Sequence, residues 1–278
     1  MNIPIYIPSF NRAETIKTSR WLDSENVAYK VILHTEKCKK EYAKAGVVEE
    51  KDIIVSGAPS GISNQRNWIA TNLGKRGEWF YMMDDNISGF NRVTDCYYHT
   101  HKQLDVKSDS ISQHDYRQQV MPIDLLKLLA LDIALAEKIG SEYIGYATTD
   151  NYFFNAKKYK SVGFIVSKAV AIKYSGLSYD SNIHTMDDYG FCVEQLIKNG
   201  TVLRNNWMKP IYKHYEAGGI GDYESRTPRK ILDCEYLMGK YPALFRYKTK
   251  KGRHPKAELQ MTVTSTKRFA EWKKDHYR

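Results

Sequence analysis

Two carboxylates stand side by side at Asp84 and Asp85, and Asn86 follows them. Adjacent acids repel each other. They are tolerated where a hard cation sits between them and an anionic ligand. Mg²⁺ or Mn²⁺ held by one or two carboxylates plus substrate phosphates is the usual arrangement. The plainer alternative is a solvated strand-to-loop junction with an Asx turn. A second acidic pair, Asp187-Asp188, follows Met186 and opens a helical pattern.

The acids need elements to hold them. Trp79 to Met83 is a run of five large apolar residues that stops at Asp84. A short apolar run bounded by polar residues predicts a buried strand. Its carboxyl end is where open α/β sheets bind ligands. Upstream, Asn2 to Pro8, Tyr29 to His34 and Asp52 to Val55 also predict strands. Helical patterns over 14–22 and 37–45 alternate with them, with Ser9 or Asn11 as the cap of the first. A further helix carries Arg66, Asn67 and Trp68. Strands alternating with helices over the first ninety residues predict a parallel sheet of the nucleotide-binding kind.

Downstream, residues 95–120 are polar without a period, as a long functional or mobile loop would be. Pro122 opens an amphipathic helix through Ile139 that stops at Gly140. Residues 143–147 and 163–174 predict strands. A helix runs from Phe191 to Lys198 and closes at Asn199-Gly200. Thr201 to Arg204 is a short strand. Ile211 to Asp222 is a strand leading into a glycine-rich turn, and a last helix is expected near 228–239.

The chain has 278 residues and a net charge of +10. Residues 225–278 hold 15 Lys/Arg against 5 Asp/Glu, whereas residues 1–224 hold 27 of each. The whole excess sits in the last fifth, interleaved with aromatics such as Tyr247 and Trp272. That composition suits a polyanion such as DNA or RNA; a basic tail that merely aids solubility is the competing reading. The four cysteines form no CxxC pair, so free thiols in a reducing compartment are expected. Residues 1–12 have neither a basic n-region nor a long apolar stretch, which argues against a signal peptide. The most apolar later stretch, 123–136, is too short to span a bilayer. A soluble, cytoplasmic protein is expected, in the host cell if phage-encoded. Three parts are expected: 1–95, 96–224 and a basic extension over 225–278.

Four segments in order resemble the GT-A glycosyltransferases, especially the family-2-like group. They are Ile7-Pro8-Ser9-Phe10-Asn11-Arg12, Gly61-Ile62-Ser63-Asn64-Gln65-Arg66-Asn67, Asp84-Asp85-Asn86 and Met186-Asp187-Asp188. PSGISNQRNW, WFYMMDDN and a late HYEAGGIGD narrow the likeness further. They are similar to the TET-associated DNA glycosyltransferases of phages and the base J glucosyltransferase group. The resemblance implies an α/β GT-A fold, a Rossmann-like mixed sheet flanked by helices, here with a basic C-terminal extension. It also implies an enzyme that moves a sugar from a nucleoside-diphosphate donor, a UDP-sugar, to the hydroxyl of a 5-hydroxymethylpyrimidine in double-stranded DNA. Asn86 departs from the pattern, since many such enzymes carry a second Asp there.

The resemblance assigns roles. Asp85 would hold Mn²⁺ or Mg²⁺, with His214 as a further ligand or an ordinary structural histidine. Asp84 would reach the ribose or a metal-bound water. Arg66 would pair with the diphosphate or brace Asp84. Pro8, Asn11 and Arg12 would lie along the donor nucleotide. Glu36 would accept from uracil N3–H, or else serve as a helix N-terminal acid. Asp187 and Asp188 are candidates for the general base, and the resemblance favours Asp188. The competing readings are an acceptor that is a polysaccharide, lipid or protein, and a non-catalytic nucleic-acid-binding protein. A nucleotidyltransferase would want a glycine-rich phosphate loop, and residues 3–12 contain no glycine.

Overall fold

The computed structural model describes residues 3–92, 124–149, 158–213, 222–249 and 253–277. Four strands build the expected parallel half: β1 (Ile5–Pro8), β2 (Lys30–Leu33), β3 (Ile53–Val55) and β4 (Trp79–Met83). The helices between them are α1 (Thr18–Ser24), α2 (Glu36–Ala45) and α3 (Ile62–Asn72). Beyond β4 come β5 (Phe90–Arg92), α4 (Leu125–Ile139), β6 (Tyr143–Tyr146), β7 (Tyr159–Lys160) and β8 (Ala169–Lys173). Then follow α5 (Asp187–Asn199), β9 (Leu203–Asn205) and β10 (Met208–Pro210). The C-terminal part holds α6 (Tyr223–Lys240), β11 (Phe245–Tyr247), β12 (Leu259–Met261) and α7 (Thr266–His276).

The main sheet runs β3-β2-β1-β4-β8-β6-β9-β7. It is mixed, because β8 enters antiparallel between β4 and β6. This is the GT-A-like, Rossmann-like mixed sheet that the resemblance implies; the strand–helix pattern alone predicts its parallel half. Both faces are covered, so the central strands are buried throughout rather than alternating with polar residues. The two-residue pleat still sorts the side chains. Tyr6, Phe80, Met82, Val170 and Ile172 face one core; Ile5, Ile7, Tyr81, Met83 and Ala171 face the other. The first core takes α3, α5 and the C-terminal extension, with Leu237, Tyr241, Phe269 and Trp272 buried in it. The second takes α1, α2 and α4.

Several boundaries differ from the pattern: the strand expected over 163–174 is only β8, and residues 211–213, expected to begin a strand, follow β10 without one. α1 starts at Thr18, not near 14, because residues 12–17 turn back first. Thr15 and Ile16 N–H donate to Arg12 C=O at 3.1 and 2.9 Å. Neither Ser9 nor Asn11 caps it; the N-cap is Lys17. α5 starts at Asp187, so both acids of the second pair lie in its first turn. α6 begins at Tyr223 and carries Pro228 within it, with Asp222 accepting from Ser225 N–H at its start. The β11–β12 hairpin gave no clear signal in the sequence. The expected loop over 95–120 lies outside the described residues. No helix among them is long and apolar enough to cross a membrane.

Candidate functional site

The carboxyl ends of β1, β2 and β4 open onto one cavity of about 960 Å³. That volume suits a small-molecule ligand. Its wall includes Pro8, Arg12, Arg66, Asp84, Asp85, Asp187 and Asp188. Seven of the ten residues expected at the site are thus brought together. Asn11 and Glu36 are exposed and lie off the wall. Asn11 adopts the left-handed conformation, φ 54°, that turns the chain after β1. Glu36 sits in the first turn of α2, where it complements the helix dipole, and Thr35 caps that helix. His34 takes the place on the wall expected of Glu36. His214 lies outside the described residues.

The Asp84–Asn86 turn is held by its neighbours. Lys17 and Thr18 N–H, at the start of α1, donate to Asp85 C=O at 2.9 and 3.3 Å. Thr18 Oγ1 donates to Asp84 C=O at 2.5 Å and accepts from Ile87 N–H at 2.9 Å. The late start of α1 is what supplies these donors.

The two acids of this turn have different partners. Asp84 binds Arg66 at 2.9 Å and Lys168 more closely still. Lys168 arrives through strand register: pairing Met83 with Ala169 sets Lys168 opposite Asp84, and Asp84 N–H donates to Lys168 C=O at 2.7 Å. Burial opposes ionisation of Asp84, but Lys168 and Arg66 outweigh it and hold its carboxyl below the usual carboxylate range. Asp85 meets Arg12 at 3.1 Å and accepts from Ser9 Oγ at 2.6 Å. Ser9 is positioned in turn by Tyr42 OH at 2.6 Å. Burial raises the Asp85 carboxyl above its ordinary value, only partly offset by Arg12 and Ser9.

Arg66 ties the two acidic motifs together. Its side chain is buried on α3 and forms ion pairs with both Asp84 and Asp187. It also donates to Ser167 C=O at 2.8 Å and lies 5.4 Å from the centre of the Tyr179 ring. Burial disfavours the guanidinium charge, yet Asp187 and Asp84 more than restore it, so its pKa rises. The ion pair with Asp84 is the contact expected of a brace. The neighbouring residues of α3 fix the same joint. Ser63 Oγ donates to Ile183 C=O at 3.0 Å, and Asn67 exchanges two hydrogen bonds with the Tyr179 backbone, at 2.7 and 2.8 Å.

Asp188 points to different chemistry. It is half-buried, and burial together with the adjacent Asp187 charge pushes its pKa well up. A carboxylate poised nearer neutral pH makes a better general base than an ordinary one.

The residues that could take part in holding a hard cation are Asp85 and Asn86. Asn86 Nδ2 donates to Lys213 C=O at 3.0 Å, while its buried Oδ1 has no hydrogen-bond partner among the described residues. Asn86 and Asp85 both line the cavity. No group of three or more His, Cys, Asp or Glu gathers among the described residues. A cation held by so few protein ligands would need substrate phosphates or water to fill its shell, as is usual for Mg²⁺.

The family model for TET-associated glycosyltransferases matches residues 3–219, which include every one of these acids. The chain belongs to that family. It is a glycosyltransferase, and the cavity is its candidate active site. No curated protein matches the chain. In this glycosyltransferase the sequence pattern missed Lys168, whose place depends on the antiparallel entry of β8. It also missed Gln65, a buried residue of the wall, and Asp233, a buried acid of α6 described below.

The bridging role of Arg66 has a measurable consequence. Arg66→Met leaves Asp84 and Asp187 without their shared cation, and breaking a buried ion pair from one side costs about 3–5 kcal/mol. Urea unfolding should show a loss of that size. A loss below about 1 kcal/mol, the scale of a surface pair, would contradict the bridge.

Proposed function

We propose that this glycosyltransferase transfers a sugar from a UDP-sugar to the hydroxyl of a 5-hydroxymethylpyrimidine in double-stranded DNA, with Mn²⁺ or Mg²⁺ as cofactor. The observation that carries the reading is the placement of the Asp84–Asn86 turn and Asp188 on one wall system, bridged by Arg66. The family's TET association favours an oxidised pyrimidine as acceptor. The charge excess of residues 225–278 favours a polyanion over a lipid or protein.

The donor's nucleoside would lie along Pro8 and Ser9, at the end of β1. Asp85 and Asn86 Oδ1 would hold the divalent cation. When bound, that cation neutralises charge building on the departing diphosphate. Arg12 and Lys168 flank the same position and would add positive charge. Asp84, already matched by Arg66 and Lys168, frames the turn. Asp188 would accept the proton of the acceptor hydroxyl while its oxygen bonds to the anomeric carbon. The bond from that carbon to the diphosphate breaks in the same step, and the nucleoside diphosphate leaves.

Mass spectrometry of nucleosides tests the reading. The protein is incubated with hydroxymethylated DNA, Mn²⁺ and a panel of UDP-sugars; a glycosylated hydroxymethyl nucleoside is expected, and EDTA should abolish it. Product of unchanged yield in EDTA would remove the metal from the scheme. Absence of any modified nucleoside would sink the acceptor assignment.

Asp188→Asn should keep donor affinity and lower kcat by about 10²–10⁴-fold, the span of general-base catalysis. In the parent, the base works only when ionised. Since its pKa is raised, kcat should climb with pH along a limb well above the ordinary Asp value of about 3.9. A kcat that is flat from about pH 5 upward would place the base elsewhere.

A further inference from the structure

The family match stops at residue 219, but the cavity does not. Arg226, Arg229 and Lys230 of α6, and Arg253 beyond it, line the cavity opened by the ends of β1 and β4. Spacings of three and four place 226, 229, 230, 233, 234 and 237 along one stripe of the helix. The later half of that stripe, Cys234 and Leu237, is buried in the core beside the sheet. The earlier half is cationic where it borders the cavity. A helix that served only to cover the core would carry apolar residues along the whole stripe.

The rotation of α6 is fixed at the changeover. Asp233 is buried and accepts from His184 N–H at 3.0 Å, Thr185 N–H at 2.7 Å and Thr185 Oγ1 at 2.5 Å. Those residues lead directly into Asp187-Asp188. One helix therefore both holds the segment that presents the second acidic pair and turns its cations to the cavity. Lys230 shares an ion pair with Glu258 at 3.1 Å. Asp84, Asp85 and Asp187, which line the same cavity, pair with Arg12, Arg66 and Lys168.

We propose that Arg226, Arg229, Lys230 and Arg253 form a phosphate-binding wall that takes the acceptor strand's phosphodiesters beside the target nucleotide. This rests on the DNA-acceptor reading above. The donor's diphosphate offers the same chemistry, but its place is at the ends of β1 and β4. The cationic wall is instead joined through Asp233 to the segment of Asp188, where the acceptor hydroxyl must sit. Guanidinium forks suit phosphate oxygens, and two arginines in adjacent helical turns match successive contacts.

The test compares the parent with Arg226→Ala/Arg229→Ala. Two probes are used: a duplex carrying one hydroxymethylcytosine, titrated by fluorescence anisotropy across a salt series, and UDP, titrated by calorimetry. The duplex Kd should rise about tenfold or more, and the slope of log Kd against log salt should fall by about two, since each phosphate contact contributes about 0.9. The Kd for UDP should stay within about twofold, a change too small for a lost phosphate contact. Thermal melting checks the fold, and Arg229→Ala alone, at an exposed position, gives half the slope change if the double variant melts early. Weakened UDP binding, with or without a change in DNA binding, would overturn the separation of the two phosphate sites. Unchanged values for both probes would overturn the wall itself. A parent that binds no duplex at any salt would instead overturn the DNA-acceptor reading, and the wall with it.

Discussion

The site depends on a single buried guanidinium. Arg66 reaches from α3 to the acid that ends β4 and to the acid that begins α5. These motifs are about a hundred residues apart in the chain, and neither acid would tolerate burial alone. A buried charge pair is weak support for stability in general, because desolvation offsets the attraction. Its value here is in placement. The planar fork binds two carboxylates in fixed directions, so the turn at Asp84–Asn86 and the first turn of α5 are set relative to each other. Asp188, next to Asp187, then carries its raised pKa in a defined position rather than on a loose end.

The remaining architecture serves that joint. The pleat of the central strands sends alternate residues to two cores, so α3, α5 and α6 share one face. α3 contributes Ser63, Arg66 and Asn67 at spacings that keep them near one side, and each contacts the segment from Tyr179 to Asp187. From the other flank, Asp233 of α6 binds the same segment at His184 and Thr185. The C-terminal extension is thus part of the core and of the cavity wall. It extends the family's fold with a charged surface of its own.

Much of this was legible in the sequence. The apolar run Trp79 to Met83 ending in two acids marked β4, and four motifs in order marked the family and the mixed sheet. Where elements begin, and which residue of a turn faces the cavity, was read less well. Asp85 C=O draws the N–H groups of Lys17 and Thr18 toward it, so α1 starts later than helical pattern alone indicates. Glu36 sat at the end of a strand in the sequence, but the first turn of α2 exposes it, and His34 faces the cavity. Lys168 was not legible because its partner is chosen by the register of β4 with β8, across a long intervening segment. The basic extension was visible as a charge imbalance; that its cations face the cavity required the inward stripe of α6 and its anchor at Asp233.

A double-mutant cycle on the two carboxylates that share Arg66 tests the central claim most directly. Asp84→Asn and Asp187→Asn are measured singly and together by urea unfolding. If one guanidinium holds both motifs, either single change leaves it one carboxylate, and the pair leaves it none. The double variant should then lose more stability than the two single losses added, with a coupling of about 1 kcal/mol or more. Losses that add within about 0.5 kcal/mol would mean that the two acids act independently, and that Arg66 does not join them.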